Sequence, residues 1–212
     1  MRESSVSFPS DKLILQGVCY FPEGDGVFPA AVLCHPHPLY GGSMYNDVIL
    51  EIASALVSES VIVFMFNFRG VGSSEGSFGE GVSEQEDVKA AINWLVCQPE
   101  VDIDRVAVAG YSFGAAVAVP VACTDERIKA MVLVSPPLEM EQISQLKDCT
   151  KPKIVIYGSE DLVVSPQKVE LVKREAAEPK QFEIVSGANH FWWRFETEMV
   201  EKIVTFFKSF VI

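Results

Sequence analysis

Positive charge is scarce in this chain. Across 212 residues, 17 lysines and arginines face 29 aspartates and glutamates, a formal net charge of −12. A surface of that sign repels phosphate backbones and anionic lipid, which excludes nucleic acid as an expected partner and disfavours a membrane surface. Histidine is scarcer still: His35, His37 and His190 are the three in the chain, so any imidazole chemistry must use one of them. Paired cysteines are missing. Cys19, Cys34, Cys97, Cys123 and Cys149 are odd in number, widely spaced and form no CxxC, which fits reduced thiols better than a disulfide framework or a zinc site. An apolar opening is missing too, because MRESSVSFPSDK is polar and carries both signs of charge; the expected location is the cytoplasm. The uncharged stretch Val106 to Thr124 reaches spanning length. It reads better as a strand ending at Gly110 followed by a small-residue helix interrupted by Pro120. With no repeat, low-complexity tract or linker, one domain over residues 1–212 is expected, large enough to bury a core.

What the chain does contain is alternation. Short β-branched or aromatic runs recur at residues 4–7, 13–21, 30–34, 61–68, 106–110, 130–135, 153–158 and 182–185. From the third onward they are continuous rather than alternating, as strands covered on both faces must be. Helical patterns lie between them. Asn46 to Ser58 places Val48, Ile49, Ile52, Ala53, Leu56 and Val57 at helical spacing, and Ser83 to Cys97 opens with acidic and amide residues suited to a helix N-terminus. Ser165 followed by Pro166 reads as a cap and first helical residue, and Glu196 to Val211 carries a stripe of Met199, Ile203, Phe206, Phe207 and Phe210. The expected fold is therefore α/β: a mostly parallel twisted sheet of about eight strands with helices on both faces, begun by an antiparallel pair. Ligands in such sheets sit at the C-terminal ends of the strands.

Two pentapeptides fit glycine-x-serine-x-glycine, GSSEG at Gly72–Gly76 and GYSFG at Gly110–Gly114. A serine nucleophile of this kind must leave a strand on a sharp turn and enter a helix at once, so that helix-start amides face the substrate oxygen. Ser112 follows VAVAG and precedes FGAAVAV, with small residues Gly110, Gly114 and Ala115 where strand and helix nearly touch. Ser74 instead precedes the glycine-rich EGSFGEG, so Ser112 is the nucleophile candidate. A serine hydroxyl needs a base. His190 lies after the serine, in GANHFW, and the loop following KIVIYG offers Glu160 and Asp161 as the orienting carboxylate, Asp161 being preferred.

At this point the chain resembles the α/β-hydrolase superfamily over essentially its whole length. Gly158-Ser159-Glu160-Asp161 matches that fold's acid loop and Gly187-Ala188-Asn189-His190 its histidine loop. The resemblance implies that Ser112 attacks an acyl carbon, His190 takes and returns the proton, and Asp161 holds the imidazole. It also accounts for GSSEG, since NFRGVGSSEG resembles a structural turn after the fourth strand, with Arg69 as a local ion-pair anchor.

An oxyanion hole needs two backbone amides, expected from Phe113 and from the HPHPLYGGSMYN loop. Pro36 and Pro38 cannot donate, which leaves His37, with Leu39 or Tyr40 behind it. HPHP followed by GG resembles small lidless bacterial and archaeal hydrolases related to the dienelactone hydrolases and to the catalytic domain of Xaa-Pro dipeptidyl peptidases. Dienelactone hydrolases use cysteine at the elbow and this chain has Ser112, so the lactone substrate does not carry over. A metal held by His35, His37 and His190 is the rival reading. The prolines break a regular strand and no acidic or cysteine ligand stands nearby in sequence, so no metal or other cofactor is expected and His35 reads as a hydrogen-bonded structural residue.

Between the sixth and seventh strand runs lie only residues 136–152, room for a short helix such as Glu139 to Leu146 but for no substantial cap. Tyr40, Met44, Tyr45, Phe78, Phe191 and Trp192 are candidate apolar walls. The expected activity is hydrolysis of a small-molecule carboxylic ester or thioester through an acyl-serine. A peptidase or amidase of the same fold and a catalytically silent binding protein are the alternatives, and a homodimer stays open.

Overall fold

Eight strands form one sheet in this computed structural model, which describes residues 1–212. β1 (Arg2–Ser10) and β2 (Leu13–Phe21) make an antiparallel hairpin, and β2 pairs antiparallel with β4 (Ile62–Phe66). β3 (Phe28–Cys34), β5 (Val101–Tyr111), β6 (Ile128–Val134), β7 (Lys153–Gly158) and β8 (Lys180–Val185) lie parallel to β4, in spatial order β1-β2-β4-β3-β5-β6-β7-β8. Five helices accompany them: α1 (Asp47–Ser58), α2 (Glu84–Val96), α3 (Phe113–Thr124), α4 (Pro166–Glu175) and α5 (Glu196–Phe210). This is the expected mostly parallel architecture.

The period-two geometry of a strand explains why the central runs are apolar throughout. In β3, Ala30, Val32 and Cys34 join the core shared with α2, α3 and α4, while Ala31 and Leu33 face the core shared with α1 and α5. The stripe expected on the last helix follows suit, with Met199, Ile203, Phe206 and Phe207 buried and Phe210 left partly exposed at the end.

Strand order positions the site. The chain leaves β3 through α1 toward β4 on one side and leaves β5 through α3 toward β6 on the other, so the loops diverge and open a crevice at the C-terminal ends of β3 and β5.

Two expectations change. Pro120 does not interrupt α3, which runs unbroken through it. An interior proline costs about 3 kcal/mol, but every residue from Phe113 to Ala122 is buried, and three buried valines at about 1.5–3 kcal/mol each outweigh that cost. The short helix expected after β6 forms as a 3-10 stretch over Glu141–Lys147 rather than over Glu139 to Leu146. No helix is long and apolar enough to cross a membrane.

Candidate active site

The turn from β5 into α3 carries Ser112 at φ 52 and ψ −122, a conformation that non-glycine residues rarely hold. Close packing enforces it. A Cβ on Gly110 would stand 2.6 Å from the Ala115 backbone, and one on Gly114 would run into the carbonyls of Cys34 and His35. Glycine at both positions lets α3 start directly on top of β3 and β5.

Three loops then converge. Ser112 Oγ lies 3.0 Å from His190 Nε2, and His190 Nδ1 lies 2.9 and 3.0 Å from the two carboxylate oxygens of Asp161. The Asp161 side chain is fully buried, and its Oδ1 also accepts from the amides of Val163 (2.9 Å) and Val164 (3.1 Å). Burial pushes this carboxyl up, but the hydrogen bond and charge of His190, a bond from Ser135 and the Val163 amide outweigh it and hold the group below the usual carboxylate range. An ionised Asp161 accepts from Nδ1–H, which leaves Nε2 with its lone pair toward the serine hydroxyl. Glu160, the alternative acid, is exposed and makes no side-chain bond to His190.

The amides of Phe113 and His37 donate to no group of the chain. Both residues border one cleft of about 670 Å³ that also contains Ser112 and His190. The His37 ring packs 4.7–4.9 Å from the rings of Tyr40, Phe78 and Phe113, and its Nδ1 accepts from the Leu39 amide at 3.2 Å. His35 is buried and fully engaged: Nδ1–H donates to the Pro36 carbonyl at 2.6 Å and Nε2 accepts from the Phe68 amide at 3.0 Å. Burial pulls its pKa down from 6.5 to about 4. With both nitrogens taken, His35 has no lone pair for a metal.

A model of the X-Pro dipeptidyl-peptidase (S15) family matches residues 13–192. The chain belongs to that family. It is a hydrolase of the α/β-hydrolase superfamily. An α/β serine hydrolase homologue from Coxiella burnetii superposes with a TM-score of 0.88 at 32% identity, covering 97% of each chain. A lidless α/β serine hydrolase from Xanthomonas campestris gives 0.87 at 28% identity, covering 98% of this chain and 94% of its own. Among named relatives, the thiohydrolase aneE of Aspergillus aculeatus is 27% identical over 202 residues, which is 89% of this chain and 61% of that protein.

In this S15-family chain the cleft walls differ from the expected set. Tyr40, Phe78 and Phe191 line it. Met44 and Trp192 do not, because both side chains are buried in the core between the sheet and α1 and α5. Tyr45 is half exposed and does not line the cleft, whereas its neighbour Asn46 does. Trp192 supports the site from beneath: its Nε1–H donates to Ser135 Oγ at 3.2 Å. Tyr111, beside the serine, donates its hydroxyl to the His190 carbonyl at 2.7 Å and tilts its ring against the imidazole at 5.6 Å. Sequence reasoning missed Tyr111 and Ser135, along with the wall residues Met140, Pro137 and Val163. Tyr111 could have been found as the variable position inside GYSFG, and Ser135 as the polar end of an apolar strand run.

The second pentapeptide is structural. Ser74 Oγ donates to the Asn67 carbonyl at 2.7 Å and accepts from the Gln16 amide at 2.9 Å, pinning the loop after β4 to β2. Arg69 is a local anchor, bonding Asp87 through Nε at 3.0 Å and Nη2 at 2.7 Å.

Proposed function

We propose that the chain hydrolyses carboxylic esters or thioesters through an acyl-serine intermediate. The observation that carries this reading is the continuous path of hydrogen bonds Ser112–His190–Asp161 ending in an open cleft. Ser112 Oγ attacks the acyl carbon as its proton passes to His190 Nε2, and Asp161 stabilises the imidazolium through Nδ1–H. The unpaired amides of Phe113 and His37 receive the charge developing on the carbonyl oxygen. His190 returns the proton to the leaving alkoxide or thiolate, and a water deprotonated by His190 releases the acid by the reverse course.

The walls favour an uncharged acyl group. Aromatic rings of Tyr40, Phe78, Phe113, Tyr111 and Phe191 border the cleft and no lysine or arginine does. The similarity to a thiohydrolase adds thioesters to the substrate class.

One observation favours a peptidase as the second reading. Glu80, exposed and held at φ 59, is the carboxylate of the cleft wall and could meet a substrate ammonium, and the family is described by a dipeptidyl peptidase. Kinetics on p-nitrophenyl esters of increasing acyl length, an aryl thioester and an aminoacyl-prolyl anilide separate the two. Turnover of esters and thioesters, lost in Ser112→Ala, supports the proposal. Turnover of the anilide alone replaces it with the peptidase, and no turnover of any with no labelling by a fluorophosphonate rejects both.

A further inference from the structure

The loop that delivers the base also leaves two large apolar rings in water. Phe191 is 57% exposed and Trp193 64% exposed, immediately after His190 in the chain. Between them Trp192 is buried, its indole bonded to Ser135 Oγ at 3.2 Å. It holds φ 63, a left-handed value that a bulky side chain adopts only where its surroundings impose it. The turn at this anchored residue brings its two neighbours together, so that the rings of Phe191 and Trp193 stack with centroids 5.2 Å apart and planes 19° from parallel. The backbone beneath them is pinned on both sides of the imidazole, because the Phe191 amide donates to Asn189 Oδ1 at 2.9 Å and the Tyr111 hydroxyl to the His190 carbonyl at 2.7 Å. Phe191 lines the cleft, its ring 5.9 Å from that of His190 and edge-on to it at 86°. Apolar area of this size, exposed on a fixed support at the mouth of a cleft, marks a contact surface for a ligand.

The chemistry of the site says which part of a substrate meets that ring. The oxyanion faces the amides of His37 and Phe113, whose rings carry Phe78 at 4.9 and 5.7 Å. The leaving atom must instead come within hydrogen-bond reach of His190 Nε2, since that nitrogen returns the proton. The group attached to the leaving atom therefore extends along the histidine loop toward Phe191, and the acyl chain is left with the walls away from it. We propose that Phe191 is a specificity-determining platform for the leaving group, selecting phenols and aryl thiols over aliphatic alcohols, with Trp193 as the positioning residue that holds its ring. This assignment rests on the acyl-serine reading above. A planar aromatic group laid against Phe191 gains an offset-stacking contact beyond the area it covers, equivalent to about 2- to 10-fold in kcat/KM. A saturated ring of equal carbon count covers area without that gain. An anionic leaving group finds no counter-charge, because no lysine or arginine borders the cleft.

The test uses butyrate esters of phenol, 2-naphthol and cyclohexanol with the full-length wild type, Phe191→Leu and Trp193→Leu. Dividing each variant's kcat/KM by the wild-type value for the same ester cancels the intrinsic reactivity of the alcohols. In Phe191→Leu that ratio is expected to fall about 2- to 10-fold further for the phenyl and naphthyl esters than for the cyclohexyl ester. Trp193→Leu should shift it the same way by less, and Phe191→Tyr and Trp193→Phe, which keep a flat ring, should restore it. Lengthening the acyl chain of the phenyl ester should leave the Phe191→Leu ratio constant. A loss in Phe191→Leu that is equal across the three alcohols, absent from all of them, or growing with acyl length overturns the platform and leaves the hydrolysis reading standing. Absence of turnover of every ester by the wild type overturns both.

Discussion

Ser112 and Ser74 occupy the same pentapeptide pattern and opposite environments. One hydroxyl points to an imidazole, while the other is consumed by the backbone of Asn67 and Gln16. Ser112→Ala is expected to lower kcat by about 10⁴- to 10⁶-fold on the best ester, with little change in unfolding free energy. Ser74→Ala should do the reverse, keeping kcat while costing about 1–3 kcal/mol through the Asn67 and Gln16 groups it leaves unbonded. Steady-state kinetics beside urea denaturation of both variants distinguishes them. His35 sets a pH dependence. Its folded pKa is pulled from 6.5 to about 4, so between those values the unfolded chain binds the extra proton. The contribution is complete above pH 6.5 and is lost as pH falls toward 4, a decline of about 3 kcal/mol in unfolding free energy from this residue. Urea titrations between pH 4 and 7 should follow that slope in wild type and a flatter one in His35→Gln.

At the scale of elements, α3 is seated tightly on β3 and β5 through Gly110 and Gly114. In Gly114→Ala the new methyl meets carbonyl oxygens of Cys34 and His35, which belong to the sheet and its first loop and cannot swing aside. That variant should lose about 1–3 kcal/mol or more to overpacking, and turnover by about 10²-fold if the elbow moves by roughly 1 Å. Thermal unfolding and kcat measured together check it. Local pattern explains what could be read from the chain beforehand. β3, the Val106–Gly110 half of β5 and Ile154–Gly158 of β7 are continuous apolar runs, and a strand–glycine–serine–small-residue order marks the β5–α3 turn without any long-range information. Pro120 misled because residue-level propensity counts its missing amide and not the burial of its neighbours in a helix with no exposed face until Cys123. The cleft walls were legible only in half. Tyr40, Phe78 and Phe191 border it, but Met44 and Trp192 sit in equally apolar local sequence, and which way a ring turns next to His190 is decided by the core below. Ser135 and Tyr111 reach the histidine loop across 57 and 79 residues of chain, a distance at which spacing carries no signal.

For the whole molecule, the charge of −12 acts on every substrate that approaches. A coenzyme A thioester is polyanionic and is repelled at long range, whereas a p-nitrophenyl ester is not. Raising ionic strength toward 0.15 M shortens the screening length to about 8 Å. The expected outcome is a kcat/KM that climbs with salt for the acyl-CoA and stays level for the neutral ester; equal salt responses would contradict it. The short 3-10 connection over Glu141–Lys147, with Pro137 and Met140 at the cleft rim, has a kinetic corollary as well. No flap has to be peeled back by an oil droplet before the serine is reached. Velocity should therefore rise smoothly as an ester of intermediate chain length is taken through its micellisation threshold, without the jump that interfacial activation produces.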